Sequence, residues 1–234
     1  PVVGAAAHLR PRLHKAFAEA CGHRAAAEPD FGGAPSRPVE APFAPWSAPD
    51  VTAFVKGLPL DAGVPPVAAT PGGTPEARRR LATFVKKRLR GYAEGRSLPC
   101  PPERGHGSGL SPYLHFGQVS VQEVVERVLA TQGRWTPEEL RIHQRGKREG
   151  FFCDDADVNA FLDQALTWRD VGLQWHWSRR CDASSLVTAL PPWAFATLQA
   201  HVVDRRPHLY TREQLEAGET HDALWNAAQR QLLR

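Results

Sequence analysis

Apolar residues return every three or four positions through most of the chain beyond residue 74. Leu81, Phe84, Val85, Leu89 and Tyr92 lie behind Thr74-Pro75-Glu76, and that spacing lays one apolar stripe along a helix. Thr74 suits the cap, Pro75 the first helical position and Glu76 the positive helix end. Ser120 with Glu123 reads as a capping box ahead of Val121, Val124, Val125, Val128 and Leu129. Thr136-Pro137-Glu138-Glu139 predicts a third start. A fourth helix is expected from about Asp157 to Trp177, carrying Phe161, Leu162, Ala165, Leu166, Trp168 and Leu173. Trp193 to His201 makes a fifth, and Thr211 with Gln214 caps a short sixth. Thr220 opens a last one with Leu224, Trp225, Ala228 and Leu232 on one side. Seven helices without a strand pattern predict a mainly α fold.

The first third reads differently. Residues 5 to 21 predict a short helix with Leu9, Leu13, Ala16, Phe17 and Ala20 on one face, which Pro11 interrupts or joins in its first turn. From Gly22 to Gly73 the chain is rich in Pro, Ala and Gly without a sustained period, as in a linker or wrapped loop. Asp50 to Phe54 fits a brief strand or a helical turn. There is no internal repeat. The chain has no methionine, opens on Pro1 and stops inside a helical pattern at Leu232-Leu233-Arg234. The expectation is a fragment cut at both ends.

Composition narrows the partners. The 234 residues are 42% hydrophobic, enough for a packed core, and carry a formal charge of +4 that mildly favours an anionic partner. No apolar run approaches the ~20 residues needed to span a bilayer. Cys21, Cys100, Cys153 and Cys181 form no CxxC pair, so neither a zinc site nor a disulfide framework is suggested. The histidines show no metal spacing either, and no metal is expected. A reducing, cytoplasmic setting follows from the cysteine usage.

Four features admit two readings each. Arg78, Arg79, Arg80, Lys86, Lys87, Arg88, Arg90 and Arg96 form a basic helix and its tail: a solvated face, or a surface that tracks nucleic-acid phosphates. Tyr92 and Arg96, four apart, share a face if the helix continues that far. Trp168, Trp175 and Trp177 are core aromatics, or platforms on which a flat ring stacks. In Gly107-Ser108-Gly109-Leu110-Ser111-Pro112, Ser111 suits a cap and Pro112 a first position. The small residues before them make an ordinary interhelical loop, or one whose amides and hydroxyls converge on an anion. His221-Asp222 reads as an acid/base pair or, with Thr220, as a helix start.

Four blocks resemble the flavin-binding domain of the DNA photolyase and cryptochrome superfamily, and look most like its class II cyclobutane pyrimidine dimer photolyases. They are GGTPEARRRLATFVKKRLRGYAEGR (72 to 96), GSGLSPYLHFGQVS (107 to 120), AFLDQALTWRDVG (160 to 172) and YTREQLEAGETHDALWNAAQRQL (210 to 232). AAAHLRPRLHKA near the start is similar to the end of the family's antenna domain. The resemblance implies three parts: the end of an α/β antenna domain at 1–21, an interdomain linker at 22–73, and a helical FAD-binding domain at 74–234, incomplete at its C-terminus.

It also implies roles. Tyr92 would contact the flavin, and Ser108, Gly109, Leu110 and Ser111 would hold the FAD pyrophosphate. Gln164 and Trp168 would serve both cofactor and catalysis. Arg96 and Arg169 would meet DNA, with Trp168 and Arg169 between adenine, flavin and a flipped dimer. Gly107 and Gly109 stand where the family has Thr and Arg, and Gln164 where it has Glu. The implied activity is light-driven repair of pyrimidine dimers by electron transfer from reduced FAD, in a monomer with no membrane partner. A cryptochrome-type photoreceptor and a non-catalytic basic DNA-binding module remain as alternatives.

Overall fold

A computed structural model describes residues 6–21, 51–60, 63, 67, 70–101, 104–143, 146–179 and 189–233. The helices are α1 (Ala6–Ala20), α2 (Val51–Lys56), α3 (Thr74–Lys87), α4 (Tyr92–Gly95), α5 (Ser111–His115) and α6 (Val121–Leu129). Then come α7 (Ala156–Leu162), a π-helical turn (Asp163–Trp168), α8 (Arg169–Arg179), α9 (Pro192–Ala200), α10 (Arg212–Ala217) and α11 (Ala223–Leu232). No strand occurs among the described residues, as the mainly α reading requires. The chain divides into two compact units, Gly4–Val171 and a second holding Gly172–Arg234.

The first unit is built around an aromatic knot. Phe84 at the end of α3, Tyr92 in α4 and Phe161 in α7 meet with ring centroids 4.5 to 5.8 Å apart. Leu81, Val124, Val128, Leu162 and Tyr113 close round them, nearly inaccessible to water. Each such side chain contributes about 1.5–3 kcal/mol by leaving water. Phe151 and Phe152, outside any helix, are buried too. Their segment is held by Asn159, whose Nδ2 donates to Cys153 O and Asp155 O while its Oδ1 accepts from Phe152 N. Helical periodicity carries no signal for such a loop.

Several starts differ from the sequence reading. At α3 the cap is Gly73 (φ +106°), not Thr74, so Pro75 lies one position further in; Glu76 lies in the first turn as expected and also accepts from Arg79 and Arg80. The α5 cap falls on Leu110 rather than Ser111, with no side-chain hydrogen bond. Ser120 caps α6 as predicted, accepting from Glu123 N at 3.0 Å, but the Glu123 carboxylate goes to Arg78, which leaves the box half made. At Thr136 the box closes on a single 3-10 turn, Pro137–Glu139, and the expected third helix does not form. The start of α7 is capped by Asp155, which accepts from Asp157 N and Val158 N.

α1 runs straight through Pro11, which abuts Gly146. Gly146 (φ +62°) allows that approach, because a Cβ there would lie 2.6 Å from the proline ring. The buried face of α1 includes Leu9 and His14, while Ala16 and Ala20 of the expected stripe are exposed. His14 stacks on Phe151 with ring centroids 3.5 Å apart.

In the second unit, Thr211 and Gln214 make the predicted capping box. α11 starts at Asp222, which accepts from Leu224 N and Trp225 N, so His221-Asp222 takes part in a helix start. The residue that α11 buries is Asn226, bonded to Thr220; Leu224 and Leu232 of the expected apolar face are exposed.

Candidate flavin and DNA site

The helix that begins at Thr74 does not reach Tyr92. It ends at Lys87, the chain turns through Gly91 (φ +83°), and α4 begins afresh. Asp157 fixes this turn: its two carboxylate oxygens accept from Gly91 N and Ala93 N, both at 2.8 Å. His106 lies against Gly91 and Gly95, its Nδ1 3.1 Å from Arg88 O. Within α4, Arg96 N donates to Tyr92 O, so Tyr92 and Arg96 share a face although the long helix is broken.

α7 enters from the other side and widens into the π-helical turn. With the Gln164 amide oxygen turned to the donors around it, Oε1 accepts from Arg96 at 2.8 Å and from Trp168 Nε1 at 3.1 Å. The Arg96 guanidinium lies 6.0 Å from the Tyr92 ring centroid. Burial pushes the Tyr92 phenol above its ordinary pKa, and the Arg96 cation pulls it back. Four of the residues singled out in the sequence, Tyr92, Arg96, Gln164 and Trp168, thus form one cluster. Trp168 is half exposed. Arg169 is exposed on the following turn.

The Gly107–Ser111 loop is held apart from that cluster's hydrogen bonds. Ser108 Oγ accepts from Leu110 N at 3.3 Å, Leu110 is fully buried, and Ser111 is exposed. Gly109 (φ +66°) takes a conformation that disfavours the Arg expected there, and Gly107 faces open space. Two cations flank the loop: Arg88 donates to Gly107 O at 3.4 Å, and Arg80 NH1 approaches Gly109. Arg80 also lies 5.5 Å from the Tyr113 ring centroid.

Three of the eight basic positions are paired with carboxylates. Arg78 pairs with Glu123, and Arg79 and Arg80 share Glu76, whose carboxyl these two arginines hold down to about 2. Lys86, Lys87 and Arg90 are exposed.

Sequence reasoning missed Asp157, Asp155, Arg10 and Asp163. The signal for the first two is an acidic pair at a helix start, which by spacing alone marks only a helix boundary. Arg10 bonds Asp163 across the fold, and nothing in local spacing announces that pair. Among the described residues no group of three or more His, Cys, Asp or Glu is placed to hold a metal, and no helix is long and apolar enough to cross a membrane.

No protein-family model matches the chain. Curated relatives do. The chain is 33% identical over 179 residues to the deoxyribodipyrimidine photo-lyase of Potorous tridactylus, covering 76% of this chain and 29% of that protein. It is 34% identical over 151 residues to that of Oryza sativa subsp. japonica, covering 64% and 25%. Against that of Methanothermobacter thermautotrophicus it is 31% identical over 163 residues, covering 69% and 30%. The chain therefore spans under a third of the length of these relatives. Over that span, the chain is similar to deoxyribodipyrimidine photo-lyases.

Proposed function

We propose that this chain forms part of a light-driven DNA repair enzyme of the class II type, which binds FAD and splits pyrimidine dimers as a monomer. The observation that carries the reading is the convergence of Tyr92 and Arg96 with Gln164 and Trp168 through one amide oxygen. Two blocks of family resemblance, far apart in sequence, meet there. The class II assignment rests on residues 210 to 232.

The loop at 107–111 fits a diphosphate by its chemistry: a glycine pair without side-chain bulk, two serine hydroxyls, and the guanidinium groups of Arg80 and Arg88 beside it. Those residues would hold the FAD pyrophosphate, with Tyr92 toward the ring system. Reduced FAD, when bound, supplies an electron on excitation by light. The protein's own part is positioning. Arg96 and Trp168 engage the Gln164 oxygen, so its amide N–H groups are directed elsewhere and can donate to a pyrimidine carbonyl. A glutamate there could donate only when protonated. The exposed indole of Trp168 offers a stacking face for a base turned out of the duplex. Arg169, Lys86, Lys87 and Arg90 are exposed for backbone phosphates.

An absorption spectrum of the purified protein, followed by illumination with dimer-containing oligonucleotide, tests the reading. Flavin absorbance with light-dependent dimer loss supports it. Flavin absorbance without repair points to a photoreceptor, and DNA binding without flavin to a non-catalytic module.

A further inference from the structure

We propose that the Arg10–Asp163 ion pair is a positioning device: it holds the π-helical turn Asp163–Trp168 in the register that brings Gln164 to Trp168 and Arg96. Asp163 is the first residue of the turn, and only 2% of its side chain is exposed. Arg10 reaches it from α1 as a two-pronged contact, Nε to Oδ1 at 2.8 Å and NH2 to Oδ2 at 3.1 Å. Arg10 is itself fixed. Its third nitrogen donates to Gly146 O at 3.4 Å, and Pro11, its neighbour, is seated against Gly146. His14, stacked on Phe151, faces both members of the pair, and the Glu149 carboxylate faces Arg10. A buried carboxylate deprived of the guanidinium bonded to it is costly, so Asp163 stays where Arg10 is.

The π form makes that placement consequential. A π-helical turn inserts one residue into an α-helix and persists only where tertiary contacts sustain it. Closing it to α geometry would rotate the helix on one side of the turn against the other by about 100°. Either Asp163 would leave Arg10, or Gln164 would leave Arg96 and Trp168. Both sets of contacts are satisfied only with the extra residue in place. Arg10 thus acts on the Gln164 amide through the register of the turn, without touching it.

The reading of Gln164 and Trp168 as site residues gives this coupling its functional meaning, but its test uses neither flavin nor DNA. The indole N–H signals of the 15N-labelled protein are recorded, with Trp168 assigned through Trp168→Phe. Gln164→Ala defines where the Trp168 signal falls once its acceptor is gone. Trp135, whose Nε1 donates to Phe152 O at 2.8 Å, reports on the fold of the same unit. Arg10→Lys replaces the fork by a point charge and Asp163→Asn removes the anion, both with little change of volume. The proposal predicts that each moves the Trp168 signal to its Gln164→Ala position while Trp135 stays. Trp168 unmoved in both variants overturns it. So does an equal displacement of Trp168 and Trp135, which would make the pair a general stabiliser.

Discussion

At the scale of single residues, one oxygen gathers the site: Gln164 Oε1 joins the arginine of α4 to the indole of the π-helical turn. The proposed roles make Gln164→Ala a loss of dimer positioning, with repair per photon absorbed lowered at matched flavin content. Gln164→Glu should restore less repair as pH rises, because an ionised carboxylate no longer donates. His14 gives a separate prediction. Burial, with help from Arg10 and His143 and against Asp163, lowers its pKa from 6.5 to about 4. The unfolded chain then binds more protons than the folded one between those values. Stability from keeping His14 neutral is full above about 6.5 and is lost as pH falls toward 4, on the order of 3 kcal/mol in all. Urea unfolding at pH 7 and pH 4.5 measures it, and His14→Phe, which keeps a ring against Phe151 and cannot charge, should flatten the difference.

At the scale of elements, the short α4 exists because Asp157 and Gly91 make it. Asp157→Ala leaves two backbone N–H groups without their acceptor and should cost about 2 kcal/mol, on the usual penalty for such groups. Asp157→Asn, which keeps one acceptor oxygen, should cost less; equal losses in urea unfolding would contradict this account of the turn. Gly95→Ala puts a Cβ 2.2 Å from the His106 ring, so it should destabilise by about 1–3 kcal/mol, whereas Gly107→Ala meets nothing within 4 Å and should be near neutral. The helices themselves were legible because amphipathic spacing repeats within a few residues. Their boundaries were not, because a cap residue can have a stronger partner elsewhere. Glu123 chose Arg78 over its own helix start. The break at Arg88–Gly91 was hidden because apolar residues continue at helical spacing across it, and the π-helical turn has no sequence period of its own.

At the scale of the whole molecule, the two units carry different parts of the reading. The unit Gly4–Val171 holds Tyr92, Arg96, the 107–111 loop, Gln164, Trp168 and Arg169, all the residues proposed for cofactor and DNA. The family blocks named these residues, and spacing alone did not choose among their possible roles. Their hydrogen bonds depend on Asp157, Arg10 and Asp163, whose partners lie 64 to 153 positions away along the chain. The second unit adds the 210–232 stretch and an exposed set of large apolar residues that includes Trp177, Trp193 and Val203. The central claim joins that geometry to a light-driven reaction at one site. Its most direct test is the quantum yield of dimer splitting by the purified, flavin-reduced protein, wild type against Gln164→Ala, under blue light with matched flavin absorbance. The account predicts repair that requires light and a clearly lower yield in the variant. Equal yields in the two proteins, or no light-dependent repair by a flavin-bearing wild type, would contradict it.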